Sequence, residues 1–151
     1  MTLPQLQASV RKANSGIDDI SWNILGQTYV PKSLSPSSFS WHATFPPGTF
    51  VPPHIHHTQD EFIYVLEGTL DLFLDGAETK AGPGDLVCMP QGIAHGIFNK
   101  SEQSAKCLFW VSPTAMLWEL FQKIDKVPDP EEVIRLAAQH EITFLPPPPG
   151  A

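Results

Sequence analysis

The chain has 151 residues, nine Lys and Arg against sixteen Asp and Glu, and a formal charge of −7. That balance, with no stripe of basic residues, argues against nucleic acid as a partner, because phosphate binding draws on clustered Lys and Arg. No apolar run approaches the ~18 residues of a spanning helix. The start, Met1 to Leu6, lacks the basic-then-apolar pattern of a leader, so the expectation is a cytoplasmic protein with no membrane association.

A chain of this length suits one domain, residues 1–151, with a core of its own. Sixteen prolines and ten glycines between short apolar runs point to many turns and therefore many strands. Residues 1–20 are polar and weakly patterned and read as a loosely attached arm. A β core is expected over about 24–111. Phe39, Trp41, Ala43 and Phe45 fall at period two, a half-buried strand, closed by Pro46-Pro47-Gly48. Phe62 to Leu66 is a continuous apolar run, consistent with a strand covered on both faces. Leu70, Leu72 and Leu74 alternate up to Asp75-Gly76, a type I′ hairpin signal. Leu86–Met89, Ile93–Phe98 and Cys107–Val111 complete the strands. With only Cys88 and Cys107 there is no disulfide framework, and both read as buried free thiols. Strands at this spacing predict an antiparallel sandwich or barrel.

Two helices are expected over about 113–140. Ser112-Pro113 reads as an N-cap followed by proline at the first helical position, with Leu117, Leu120, Phe121 and Ile124 on one face. Asp129-Pro130 reads as a second start, with Glu132 completing a capping box and Val133, Leu136 and Ala137 as its face. Pro146 to Pro149 predict an extended tail. The helices are expected to pack on the outside of the β core.

Between Gly48 and Asn99 lie two spaced motifs. The first is Gly48, five residues, His54-Ile55-His56, four residues, Glu61, six residues, Gly68; the second is Gly84, five residues, Pro90-Gln91-Gly92, two residues, His95, three residues, Asn99. His54 and His56, two apart in a strand, project to one face. Glu61 returns on the next strand, and antiparallel pairing can bring His95 to the same interior. Gly68 and Gly84 read as turn positions where a side chain would obstruct the backbone, and Asn99 as a residue that ties down a loop through its amide. Ten positions at fixed spacing, each met by chance about 5–7% of the time or less, make coincidence about one in 10¹². His42, His57 and His140 lie outside the pattern and are assigned no ligand role. Asp60 is expected to face away from Glu61.

Three imidazoles and a carboxylate suit one divalent transition metal, with Fe, Mn, Ni, Zn and Co all compatible. On an ion that prefers six ligands they leave two positions for substrate or dioxygen, an arrangement for catalysis rather than a closed structural site. Strand alternation offers Phe50, Ile63, Val65, Ile93 and Ile97 as an apolar substrate-pocket wall.

The paired motifs resemble the signature motifs of the cupin superfamily, at every fixed position. The whole chain is similar to small quercetin-dioxygenase-like cupins. The resemblance implies an all-β double-stranded β-helix, the jelly-roll or cupin barrel, with metal bound by His54, His56, Glu61 and His95. It also implies a homodimer formed through sheet faces and exchanged N-terminal segments. Phe62, Tyr64 and Phe98 suit a dimer face or a surface covered by Leu117, Leu120 and Phe121. The expected activity is a dioxygenase-type oxidation of a small enol- or phenol-like apolar molecule, with Glu61 able to act as a base. The alternatives are a non-redox metal-dependent isomerase, lyase or decarboxylase, and a non-catalytic small-molecule-binding cupin.

Overall fold

Strands with one apolar face must bury it against another layer, and here they do so as two antiparallel sheets around a shared core. A computed structural model of the chain describes residues 2–146. The strands are β1 Trp22–Ile24, β2 Gln27–Leu34, β3 Phe39–Phe45, β4 Phe50–His56, β5 Asp60–Glu67, β6 Leu70–Leu74, β7 Ala77–Ala81, β8 Leu86–Met89, β9 His95–Phe98, β10 Ala105–Ser112 and β11 Ile142–Phe144. Helices α1, Leu117–Ile124, and α2, Pro130–Ala138, lie between β10 and β11. One sheet runs β1-β2-β3-β10-β5-β8 and the other β11-β4-β9-β6-β7. The repeated crossing of the chain between sheets is the jelly-roll plan of a double-stranded β-helix. None of the described helices is long and apolar enough to cross a membrane.

The alternation in β3 is realised in full: Phe39, Trp41, Ala43 and Phe45 are all buried. Trp41 stacks on Phe109 of β10 at 5.3 Å between centroids, and such pairs add about 0.5–1.5 kcal/mol to burial alone. The Asp75-Gly76 turn joins β6 to β7 with positive φ at both residues, 48° and 84°, as a type I′ hairpin requires.

β5 departs from expectation. Ile63 and Val65 are buried, but Tyr64 and Leu66 are exposed, so the strand is covered on one face only. The outward rings of Phe62 and Trp110 stack on each other at 5.1 Å across β5 and β10. Cys107 is buried, and burial pushes its thiol up to about 12. Cys88 is exposed instead. It sits on β8, the edge strand, where parity turns Val87 and Met89 inward and Leu86 and Cys88 outward.

Gly68 has a φ of 77°, and a Cβ there would lie 2.8 Å from the Ser104 carbonyl oxygen and 2.9 Å from the Ala105 Cα. It is glycine for two reasons at once. Gly84, at φ 87°, has none of the described residues within 4 Å of its missing Cβ, so its conformation rather than an obstruction favours glycine.

The first helix begins later than Ser112-Pro113 predicts. α1 starts at Leu117, and its N-cap position, Met116, makes no side-chain cap. The carbonyls of Pro113 and Thr114 are instead engaged by the Gln59 carboxamide, and the Thr114 hydroxyl donates to the Ser35 carbonyl. A loop pinned at those points cannot wind into a first helical turn. The second start is as expected at Asp129-Pro130, with the Asp129 carboxylate accepting from the Glu131 amide at 3.0 Å. Glu132 does not complete a capping box; it takes the guanidinium of Arg135 one turn on.

Both helices pack outside the strands and cover one end of the core. Leu117, Leu120, Phe121 and Ile124 are buried, with Phe121 packed on Trp41 at 5.0 Å and on Tyr29 at 5.2 Å. This face therefore turns to the interior rings and is not the cover of Phe62, Tyr64 and Phe98. β11 then adds to the edge of the second sheet beside β4, pairing Ile142 with His56 and Phe144 with His54. Most of residues 2–14 are exposed, and Lys32 on β2 fastens the end of the arm by donating to the carbonyls of Lys12, Ala13 and Ser15. Of the expected proline tail, Pro147 to Pro149 lie outside the described residues.

Candidate metal centre

His54 and His56 come from β4, His95 from β9 of the same sheet, and Glu61 from β5 of the opposite sheet. All four are buried, and one ligand atom from each lies within 4.8 Å of the others. Local sequence accounts for the convergence. The β4–β9 register runs Phe50 to Phe98 and Val51 to Ile97, then shifts by one residue before His54 meets His95. The extra residue falls at Pro52-Pro53, where a strand lacks amide donors and tolerates a bulge. The turn before β9 is fastened to both neighbouring strands: the Gly92 amide donates to the His56 carbonyl at 2.9 Å, and the Gln91 amide to the Asp60 carboxylate at 3.0 Å. Asp60 thus faces away from Glu61 and serves the turn. Asn99 donates to the Phe45 and Gln103 carbonyls and accepts from Ser101, holding the loop after β9.

The hydrogen bonds fix the two β4 imidazoles in one tautomer. His54 Nδ1 lies 2.7 Å from the Pro52 carbonyl oxygen, which only accepts, so Nδ1 carries the proton. His56 Nδ1 lies 2.7 Å from Gln59 Oε1, and the Gln59 amide nitrogen is committed to two other carbonyls. That leaves both Nε2 lone pairs free. His95 Nε2 is 3.1 Å from Glu61 Oε1, and His56 Nε2 is 3.8 Å from Glu61 Oε2. The buried His95 Nδ1 has no hydrogen-bond partner among the described residues.

Burial, reinforced by the neighbouring rings of His95 and His56, holds His54 well below the usual imidazole range. Burial also lowers His56, against the opposing pull of Glu61. For Glu61, burial alone would raise the carboxyl, but His56 and the hydrogen-bonded His95 together leave it below the usual carboxylate range. Neutral imidazole and ionised carboxylate are the forms that ligate a metal, and His54, His56 and Glu61 are held toward them; with the His95 ring beside Glu61, the four residues fit the group.

A cavity of about 50 Å³ adjoins His54, His56 and Glu61, and its other walls are apolar. Of the five residues expected as its wall, Ile97 lines it. Phe50 does not: the β4 bulge reverses parity, so Val51 points inward while Phe50 is 46% exposed and stacks on Phe98 outside. Ile63 and Val65 are fully buried in the core but off the cavity wall, and Ile93 is half-buried in the loop before β9. The sequence reading missed Tyr29 and Phe109 in the wall, and also α1 with Phe144, because contacts between distant segments leave no local period. It also passed over Gln59, which lies in the turn before β5, where no strand period announces a buried side chain.

His42 stands half-buried on the outer face of β3, His57 bonds Thr143 at 2.8 Å, and His140 bonds Leu136 and Lys123. Among the described residues the four named above form the one such cluster of potential ligands.

The cupin domain family profile matches residues 41–111, which span both motifs. The chain is 30% identical over 102 residues to the tetracenomycin polyketide synthase protein TcmJ of Streptomyces glaucescens, covering 66% of this chain and 68% of that protein. It is 32% identical over 79 residues to polyketide synthase CurC of Streptomyces cyaneus, covering 52% of this chain and only 51% of the relative. An RmlC-like cupin from Shewanella frigidimarina superposes with a TM-score of 0.61 at 17% identity, over 72% of this chain and 97% of that one, a likeness of fold. Motifs, sheet topology and sequence likeness agree that the chain belongs to the cupin family.

Proposed function

We propose that the protein is a metal-dependent enzyme of the dioxygenase type, acting on a small enol- or phenol-like molecule, with His54, His56, Glu61 and His95 as ligands of one divalent ion. The observation that carries the reading is the convergence of three buried imidazoles and one buried carboxylate on the edge of an apolar cavity. When bound, the ion would polarise a substrate oxygen and supply a site for dioxygen.

The chain's own residues do the rest. The Pro52 carbonyl and Gln59 hold the β4 rings with Nε2 available. Glu61, ionised at neutral pH, is the group able to take the proton of an enol or phenol. Tyr29, raised by burial and by Glu61, stays protonated and donates to Gln27 at 3.1 Å. The apolar wall built by Ile97, Phe109, Leu120 and Phe121 excludes water and offers no cation for a phosphate. Two relatives carry polyketide synthase names, and poly-β-ketone chains enolise and close to phenols, the substrate chemistry this wall favours. A single compact domain and a homodimer belong to the same proposal.

The test is dioxygen uptake by protein loaded with Fe(II) or Mn(II) in the presence of 1,3-diketones and ortho-diphenols. Uptake coupled to product formation is expected. Turnover that is unchanged without air would replace this reading with non-redox chemistry. Binding without turnover of any compound would make it a binding module.

A further inference from the structure

Gln59 sits in the turn between β4 and β5, yet its side chain is buried and only 3% of the residue is exposed. A carboxamide has one acceptor oxygen and two N–H donors, and all are used. Oε1 accepts from His56 Nδ1 at 2.7 Å. Nε2 donates to the Pro113 carbonyl at 3.0 Å and to the Thr114 carbonyl at 3.1 Å. The second of these carbonyls also takes the Leu117 amide, the first residue of α1. One side chain thus joins a candidate metal ligand to the loop that seats the helix over the cavity.

The alternative tautomer of His56 is close at hand. With its proton on Nε2, the ring would face Glu61 Oε2, 3.8 Å away, and would offer no lone pair to the centre. The acceptor at Gln59 Oε1 opposes that state. A flipped carboxamide would set its N–H against the protonated Nδ1 and its oxygen against two carbonyls, so the loop contacts fix the amide and the amide fixes the ring.

We propose that Gln59 is a positioning residue that holds His56 in the Nδ1–H tautomer and, through the carbonyls of Pro113 and Thr114, couples that ring to the seating of α1. The affinity part of this proposal rests on the ligand assignment above, whereas the tautomer part does not.

The experiment uses metal-free full-length chain with ¹⁵N-labelled histidine, read by long-range ¹H–¹⁵N correlation at neutral pH, and then titrated with Co(II). Wild type is expected to show His56 protonated at Nδ1. Gln59→Leu, which cannot accept, is expected to shift His56 toward Nε2–H and to weaken Co(II) binding by about 10–100-fold, the usual effect of losing such a partner. Gln59→Glu keeps the acceptor and loses both donors. It is expected to retain Nδ1–H on His56 and Co(II) affinity, while amide exchange at Leu117 and Leu120 quickens. A folded Gln59→Leu with an unchanged tautomer and affinity would overturn the proposal. If that variant does not fold, Gln59→Glu decides: a switched tautomer, or unchanged exchange in α1, overturns it. Wild type that takes up no Co(II) would instead sink the metal reading, and the tautomer would still judge Gln59.

Discussion

Glu61 and His95 reach each other from opposite sheets, with Oε1 and Nε2 3.1 Å apart and neither residue more than 3% exposed. This contact makes the centre a product of tertiary structure, since 34 residues of chain separate the partners. Hydrogen bonds to a charged group contribute about 1.5–3 kcal/mol. Glu61→Gln keeps the shape and removes the charge. It is expected to lower metal affinity by no less than the loss of an outer-shell partner does, about 10–100-fold, with far-ultraviolet circular dichroism unchanged. Isothermal titration checks the first and spectroscopy the second.

The metal-free protein should lose stability on acidification in a specific window. His54 is held well below the imidazole range and His56 below it, while the unfolded chain titrates near about 6.5. Below that value the unfolded state binds more protons than the folded one, so stability falls as pH falls; above it the two states match and these groups contribute no slope. Calorimetric Tm of chelator-treated protein should drop from about pH 7 to about pH 5, and less steeply in the His54→Gln variant. An equal slope in both would contradict the assignment of the effect to His54.

Phe144 packs its ring on His54 at 5.0 Å and forms part of the cavity wall from β11. Ligand pockets for drug-sized molecules measure about 300–1,000 Å³, far more than the 50 Å³ here. Phe144→Ala should therefore widen the range of substrates accepted toward bulkier diketones. Because the residue is only half-buried, its stability cost should stay below that of Phe121→Ala, for which about 3–5 kcal/mol is expected. Competition kinetics and urea unfolding measure the two effects separately.

The two motif glycines should respond differently. Gly68→Ala meets both the positive φ and the backbone of Ser104 and Ala105, whereas Gly84→Ala meets the φ alone. Strained positions of this kind cost about 1–3 kcal/mol, so Gly84→Ala should fall in that range and Gly68→Ala should exceed it. Urea midpoints of the two variants provide the comparison, and equal midpoints would contradict it.

What was legible in the sequence was whatever a local rule encodes. Period-two burial of Phe39, Trp41, Ala43 and Phe45, the positive-φ pair at Asp75-Gly76 and the Asp129 cap each depend on a few adjacent residues. The metal-candidate set was legible because its spacing is fixed. Phe50 was misplaced because a single bulge at Pro52-Pro53 reverses parity, which alternation cannot announce. The start of α1 was misplaced because distant segments hold the loop: the Thr114 amide, from which a cap at Ser112 would accept, donates to the Pro36 carbonyl, and Gln59 binds the carbonyls of Pro113 and Thr114. Cys88 was misread because an apolar strand at a sheet edge has an outward face like any other.

The central claim, that His54, His56, Glu61 and His95 together hold one divalent ion, is tested most directly by elemental analysis. Wild type and His56→Ala would be purified without chelator, with circular dichroism confirming both folds. A divalent transition metal is expected in the wild type, and its loss is expected in the variant at neutral pH. Undiminished metal in a folded His56→Ala protein would contradict the claim.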